Sequence, residues 1–375
     1  MRPVGPGVQW TSRVTPRTTT LVALLAAVTL VIPSAAAPTP AAAATDYILM
    51  SHSALMARPV TGVRWRNLKA VADASPGRAN LCDQHSKHHL RTLAAALVYA
   101  RTGSATHGTK ARNGVMSAIT TQRVGCDNAT LALGRQLMAY VLAADFANLS
   151  GARDSTFRSW LATIRRKVIG GHGIWNSLFR THYLSATNWG AYAGASRIAA
   201  SLYLGDTADV RAAHLITRGF LGDRSAFRFS DNLSSAALSW SCAPSNYTPV
   251  NGWCRRSGTL VDGVVIADLS RGGSLRWPPG STGVQYQLDS IQGLGLQVEL
   301  LYQNGYRSAW LWSNRALKRM ANVVTRSRAA GGTGWNETNA SRQMPWLLNR
   351  RLGMSLPRVL TSEGRGIGFA DWLWG

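Results

Sequence analysis

Nine stretches of this 375-residue chain carry apolar residues at three-to-four spacing, and that pattern leaves room for little but helices. They cover residues 63–74, 88–101, 110–121, 129–147, 154–168, 188–204, 208–221, 284–304 and 308–326. Ala and Leu dominate them, as suits helix interiors. Three of these helices close alike: Leu97-Val98-Tyr99-Ala100-Arg101-Thr102-Gly103, Leu202-Tyr203-Leu204-Gly205 and Leu301-Tyr302-Gln303-Asn304-Gly305. Gly suits the left-handed residue just past a helix end. The tyrosines recur about a hundred residues apart, a spacing that suggests repeated pairs of helices. Two regions break the pattern. Residues 172–187 are rich in His and aromatics, and residues 222–283 in Gly, Ser, Pro and Trp. Segments of that length are read as binding loops or lids, and Trp240, Trp253 and Trp277 argue against disorder in the second.

The N-terminus reads as a signal peptide. Arg2, Arg13 and Arg17 precede an apolar run over residues 21–32, which is followed by Pro33 and clusters of Ala. The run is shorter than the roughly 20 residues that span a bilayer. Residues 1–44 are therefore assigned as a signal and small-residue linker, cut after Ala37 or near Ala44. Residues 45–375 are assigned as one domain of a secreted, extracellular protein without stable membrane insertion. An even count of four cysteines in such a chain favours disulfides. Of three possible pairings, Cys82–Cys126 and Cys242–Cys254 join chain neighbours and are preferred. Their spacing does not suit zinc.

The sequence has 41 basic and 17 acidic residues. Three of the basic ones, and none of the acidic, lie before Thr45, which leaves the remainder at +21. Most are Arg, which recognises carboxylates, sulfates and phosphates bidentately. Such a chain attracts polyanions. Its charges are dispersed rather than gathered in one run, which argues against nucleic acid as partner.

Three segments carry candidate chemistry. Residues 185–194 open a helix, with Thr187 or Asn188 as N-cap. Residues 268–274 contain Arg271, and Tyr286 sits one turn into the helix that runs on through Leu288, Ile291 and Leu294. Asn, Arg and Tyr together suit β-elimination from a uronic acid. Amide and guanidinium donors neutralise the carboxylate so that enolate-like charge can develop. A base then takes the C5 proton. A phenol ordinarily ionises near pH 10, so it needs cationic neighbours to serve. Each residue also has a plainer reading: Asn188 as a helix cap, Arg271 as a surface ion pair, Tyr286 as a core-edge side chain.

These segments resemble the alginate lyase family of polysaccharide lyases, in its secreted actinobacterial branch. The resemblance rests on Asp46-Tyr47-Ile48-Leu49-Met50-Ser51, residues 81–88, Asn188-Trp189-Gly190, Arg271-Gly272-Gly273-Ser274 and residues 285–301, in that order and spacing. It covers nearly the whole of residues 45–375. It implies an all-α fold, an (α/α) toroid of helical hairpins with long cleft-lining loops, and cofactor-free, metal-free lysis of an acidic polysaccharide; the chain is expected to act as a monomer. Carried over by residue, Asn188 and Arg271 neutralise the carboxylate and Tyr286 acts as base and then acid. The family carries His where this chain has Trp189; His182 or His172, in the preceding loop, is the candidate substitute. Gln84, Lys87, His88, His172, Trp175, Trp189 and Trp277 are candidate substrate contacts. The Trp at 189 also keeps open a carbohydrate-binding toroid without catalysis. A hydrolase, needing two facing carboxyls, would have to draw on Asp231, Asp262, Asp268 or Asp289.

Overall fold

The segments of strongest periodicity become the long helices. Helices α1 (His52–Met56), α2 (Gly62–Asp73), α3 (His88–Thr102), α4 (Ala105–Ala118) and α5 (Ala129–Phe146) form the first part. Then come α6 (Gly151–Ile164), α7 (Leu178–Leu184), α8 (Asn188–Leu204), α9 (Thr207–Phe220), α10 (Ser235–Trp240) and α11 (Ile266–Leu269). The chain finishes with α12 (Ser281–Gln303), α13 (Trp312–Ala329), α14 (Asn339–Leu352) and α15 (Ala370–Trp374). The computed structural model describes residues 46–170, 176–230, 233–336, 339–360 and 364–375. All belong to one compact unit, Ala44–Gly375.

The helix ends follow local chemistry. The Thr187 hydroxyl accepts from Trp189 N–H at the start of α8, and Asp206 caps α9 through Asp209 N–H. Gly103 and Gly205 adopt the left-handed conformation just past α3 and α8, as the Leu-Tyr-Gly endings predict. Both segments expected to be irregular hold short elements. Residues 172–187 include α7, and residues 222–283 include α10, α11 and a hairpin pairing β1 (Arg255–Arg256) with β2 (Thr259–Leu260). Ser257 and Gly258, both at positive φ, turn that hairpin. Helix α14 is an element the periodicity did not reveal. Pro345 lies inside it.

Helices α3, α5, α8, α12 and α14 pack in succession, and α15 packs on both α14 and α2, which returns to α3. The Trp372 indole donates to Pro59 O at 2.9 Å where α15 meets the segment before α2. In α5 every residue except Asp145 is buried. A helix so rich in Ala and Leu, with polar positions few and bonded, belongs inside. Glycine allows the central approach. A Cβ on Gly134 of α5 would fall 3.0 Å from Ala193 N, and one on Gly293 of α12 would fall 2.6 Å from the Ala191 carbonyl carbon. Both point at the backbone of α8.

The disulfides are Cys82–Cys126 and Cys242–Cys254, with Cα–Cα separations of 5.5 and 6.1 Å. No described helix is long and apolar enough to cross a membrane. Among the described residues, no three His, Cys, Asp or Glu side chains gather as a metal site would require.

Candidate functional site

The start of α8 is assembled from closely fitted polar groups. Ser185 and Thr187 share a hydroxyl hydrogen bond at 2.8 Å. Gly190 must be glycine here, because a Cβ would meet the Ser185 carbonyl oxygen at 1.9 Å. Asn188 is fully enclosed. Its backbone N–H donates to Asp268 Oδ2 at 2.9 Å, while neither polar atom of its side-chain amide has a partner. The Ser290 hydroxyl donates to the same Asp268 oxygen. Burial pushes the Asp268 carboxyl up to about 7, against the Ser290 hydrogen bond and the charge of Arg271.

Tyr286 lies one helical turn before Ser290, on the same side of α12. It is half-buried, and the exposed Arg271 places its guanidinium carbon 4.1 Å from the ring centre. A second cation is close by. Arg365 donates to both oxygens of Asp289, at 3.2 and 2.9 Å, and interacts electrostatically with Tyr286. Asp289 is buried and also receives Tyr192 O–H at 2.9 Å and Arg135 at 3.4 Å. Arg135 in turn donates to Gln84 Oε1 at 2.7 Å. The Arg271–Gly272 turn packs against Gly280 and Gly283. Beyond Gly280 a cavity of about 600 Å³ opens, lined by Arg276, Trp277, Ser281, Arg328 and Thr333 and by no carboxylate.

The structure therefore brings Asn188, Arg271 and Tyr286 around Asp268, and Gln84 and Trp277 to the margins of the same region. Of the other candidates, the described ones stand apart from this group. His182 is buried, with Nε2 2.6 Å from where a Gly194 Cβ would sit and Gln297 beside it. Gly194 is six residues beyond Asn188, about 9 Å along α8. Burial, then the charge of Arg197, holds the His182 pKa well below its usual value. His88 is a core histidine: it meets Tyr140 O–H at 2.8 Å and Ser117 Oγ at 3.3 Å, and burial pushes its pKa down to about 4. Trp189 packs against Leu131 and Tyr192 and is buried, so its faces are closed to a sugar ring. Lys87 is exposed at the entry to α3. His172, Trp175 and Asp231 lie outside the described residues.

Sequence reasoning passed over Arg135 and Arg365 and gave Asp268 and Asp289 only to a hydrolase. Asp289 is bound by two arginines and a tyrosine, so it faces its partners rather than a ligand. An arginine within an otherwise Ala- and Leu-rich helix, as at Arg135, was the one available signal for this network. No family model matches the chain, and no curated protein matches it.

Proposed function

We propose that the chain is an exported lyase that cleaves a uronate-containing polysaccharide by β-elimination at Tyr286, on an (α/α) toroid. The observation that carries this reading is the half-buried Tyr286 with the Arg271 guanidinium over its ring and Arg365 alongside. An anionic sugar bound over this phenol would meet both cations. The same cations are the neutralising groups that a uronate carboxylate needs. The phenolate takes the proton from C5. The electron pair forms the C4–C5 double bond, the C4–O bond breaks, and the phenol returns its proton to the leaving oxygen. The Asn188 amide is enclosed as the structure stands, so it joins the site only in a more open conformation. The carboxylate-free cavity beside Trp277 suits the next acidic sugar of a chain. The toroid is supported by the helix succession α3–α5–α8–α12–α14 and its return through α15 and α2. Export is supported by the two disulfides.

A second reading, binding without cleavage, is favoured by the position of His182, enclosed beside Gln297 and away from Tyr286. One experiment divides the two. The protein with residues 1–44 removed is incubated with alginate, polyglucuronate, hyaluronan, heparan and pectin, and ultraviolet absorbance of the new double bond is followed. Growth of that signal, abolished by Tyr286→Phe and by Arg271→Ala with folding intact, establishes the lyase. Binding without absorbance selects the second reading. Full activity in Arg271→Ala sinks the role assigned to that residue.

A further inference from the structure

A second site lies outside the Tyr286 region, where the Cys242–Cys254 loop faces the end of α9 and the start of α13. Trp253 is 77% exposed at its edge. Single exposed apolar side chains are ordinary, but this one is held in place on both sides. Cys254 is tied by its disulfide, and the buried Asn251 donates to Trp240 O at 2.8 Å and Val261 O at 3.1 Å. The indole is thus displayed by a fixed loop. It borders a cavity of about 630 Å³ that is also lined by Asn246, Thr248, Asp262, Ser313, Asn314 and Arg319.

The far wall of that cavity is strained. Ser313, Asn314 and Arg315 are consecutive left-handed residues, with φ of 48°, 53° and 54°. Single non-glycine residues visit that region; runs of them do not. Arg319 holds the turn by donating to Ser313 O at 3.1 Å, while it also pairs with Asp262 at 2.5 Å. The Ser313 hydroxyl is buried without a partner. Strain maintained by its surroundings, beside an unpaired polar atom, points to a function.

We infer that this cavity binds an uncharged pyranose unit of a polysaccharide, with Trp253 stacked on the ring and Asn246 and Asn314 bonding its hydroxyls. The chemistry of the lining selects that ligand. Both carboxylates in the wall are already neutralised, Asp262 by Arg319 and Asp223 by Arg218 at 2.5 Å, so the wall offers little net attraction to a uronate. A pyranose has an apolar C–H face for the indole and equatorial hydroxyls for the amides. The site shares with the lyase reading only that the partner is a polysaccharide, and it uses none of the Tyr286 groups.

Titration calorimetry with cellohexaose, mannohexaose, xylohexaose and chitohexaose tests it. At least one is expected to bind, and Trp253→Ala is expected to weaken it about tenfold or more, as loss of an aromatic stacking face does. Tyr286→Phe is expected to bind as the parent does. Asn314→Gly relieves the left-handed strain, so it is expected to raise the thermal midpoint while weakening the sugar. Failure of all four sugars to bind at about 10 mM, the weak end of specific recognition, overturns the proposal. So does undiminished binding in Trp253→Ala. Neither result bears on ultraviolet absorbance at the Tyr286 site.

Discussion

Asp268 is the residue whose environment makes the sharpest claim. It is enclosed, accepts from Asn188 N–H and Ser290 O–H, and its carboxyl is pushed up to about 7. An unfolded aspartate ionises near pH 3.9. Between about pH 4 and 7 the folded chain therefore holds a proton that the unfolded chain has lost, and stability falls as pH rises through that window. Replacing Asp268 with Asn removes this one contribution and leaves that of other shifted groups, such as His88, in place. The thermal midpoint of Asp268→Asn minus that of the parent is expected to climb from pH 4 to pH 7 and then level off. A difference constant with pH would show that the carboxyl titrates normally. The three residues grouped around Asp268 were legible in the sequence because each sits in a short local pattern: a cap at Asn188, an Arg-Gly-Gly turn at 271, and a Tyr on a helical face at 286. The second cation was not. Arg365 comes from a segment some eighty residues beyond Tyr286 with no periodic signature. Only tertiary packing brings it to Asp289. His182 misled for the opposite reason. It is near Asn188 in sequence, but α7 turns its ring toward Gly194.

At the scale of elements, the close approach of α12 to α8 is a matter of where glycine falls. Gly293 and Gly295 stand two residues apart in α12, and either change to Ala gains about 1 kcal/mol of helix propensity. Their surroundings differ. The added methyl at 293 meets rigid backbone of α8 within 2.6–2.8 Å, whereas at 295 it meets only the flexible Met344 Sδ at 2.9 Å. Gly293→Ala is expected to destabilise by about 1–3 kcal/mol through overpacking, and Gly295→Ala to be neutral or mildly stabilising. Denaturant unfolding of both variants checks this; equal effects would mean that α12 and α8 can slide apart freely. The helices themselves were legible wherever apolar spacing was regular, and α8 begins and ends where that spacing predicts. Helix α14 was hidden because Pro345 interrupts its pattern and a pair of arginines closes it. Such a helix owes its existence to burial against α12, which no local propensity records.

Across the whole molecule, the distribution of charge matters more than its sum. Acidic residues are few, and several are withdrawn inside. Glu299 is buried against Arg351 at 2.6 Å and Trp310 N–H at 3.0 Å, and Asp209 is enclosed by Arg197, Arg165 and Ser201. Asp268 and Asp289 are buried as well. These acids are enclosed together with arginines that neutralise them, so the net excess of positive charge, +21 over residues 45–375, is left to the remaining cations, and its reach is set by ionic strength. The two proposed sites should respond differently. The Tyr286 region presents Arg271 and opens toward Arg276, so its hold on a uronate chain depends on unscreened charge. The Trp253 cavity has its carboxylates paired and relies on ring stacking. Raising sodium chloride from about 50 to 300 mM shortens the Debye length from roughly 14 to 6 Å. Polyuronate affinity is expected to drop by an order of magnitude or more across that range, while affinity for a neutral hexaose changes less than twofold. Parallel titrations at both salt concentrations measure the contrast. If both ligands lose affinity together, the molecule has one electrostatic surface rather than two chemically distinct sites.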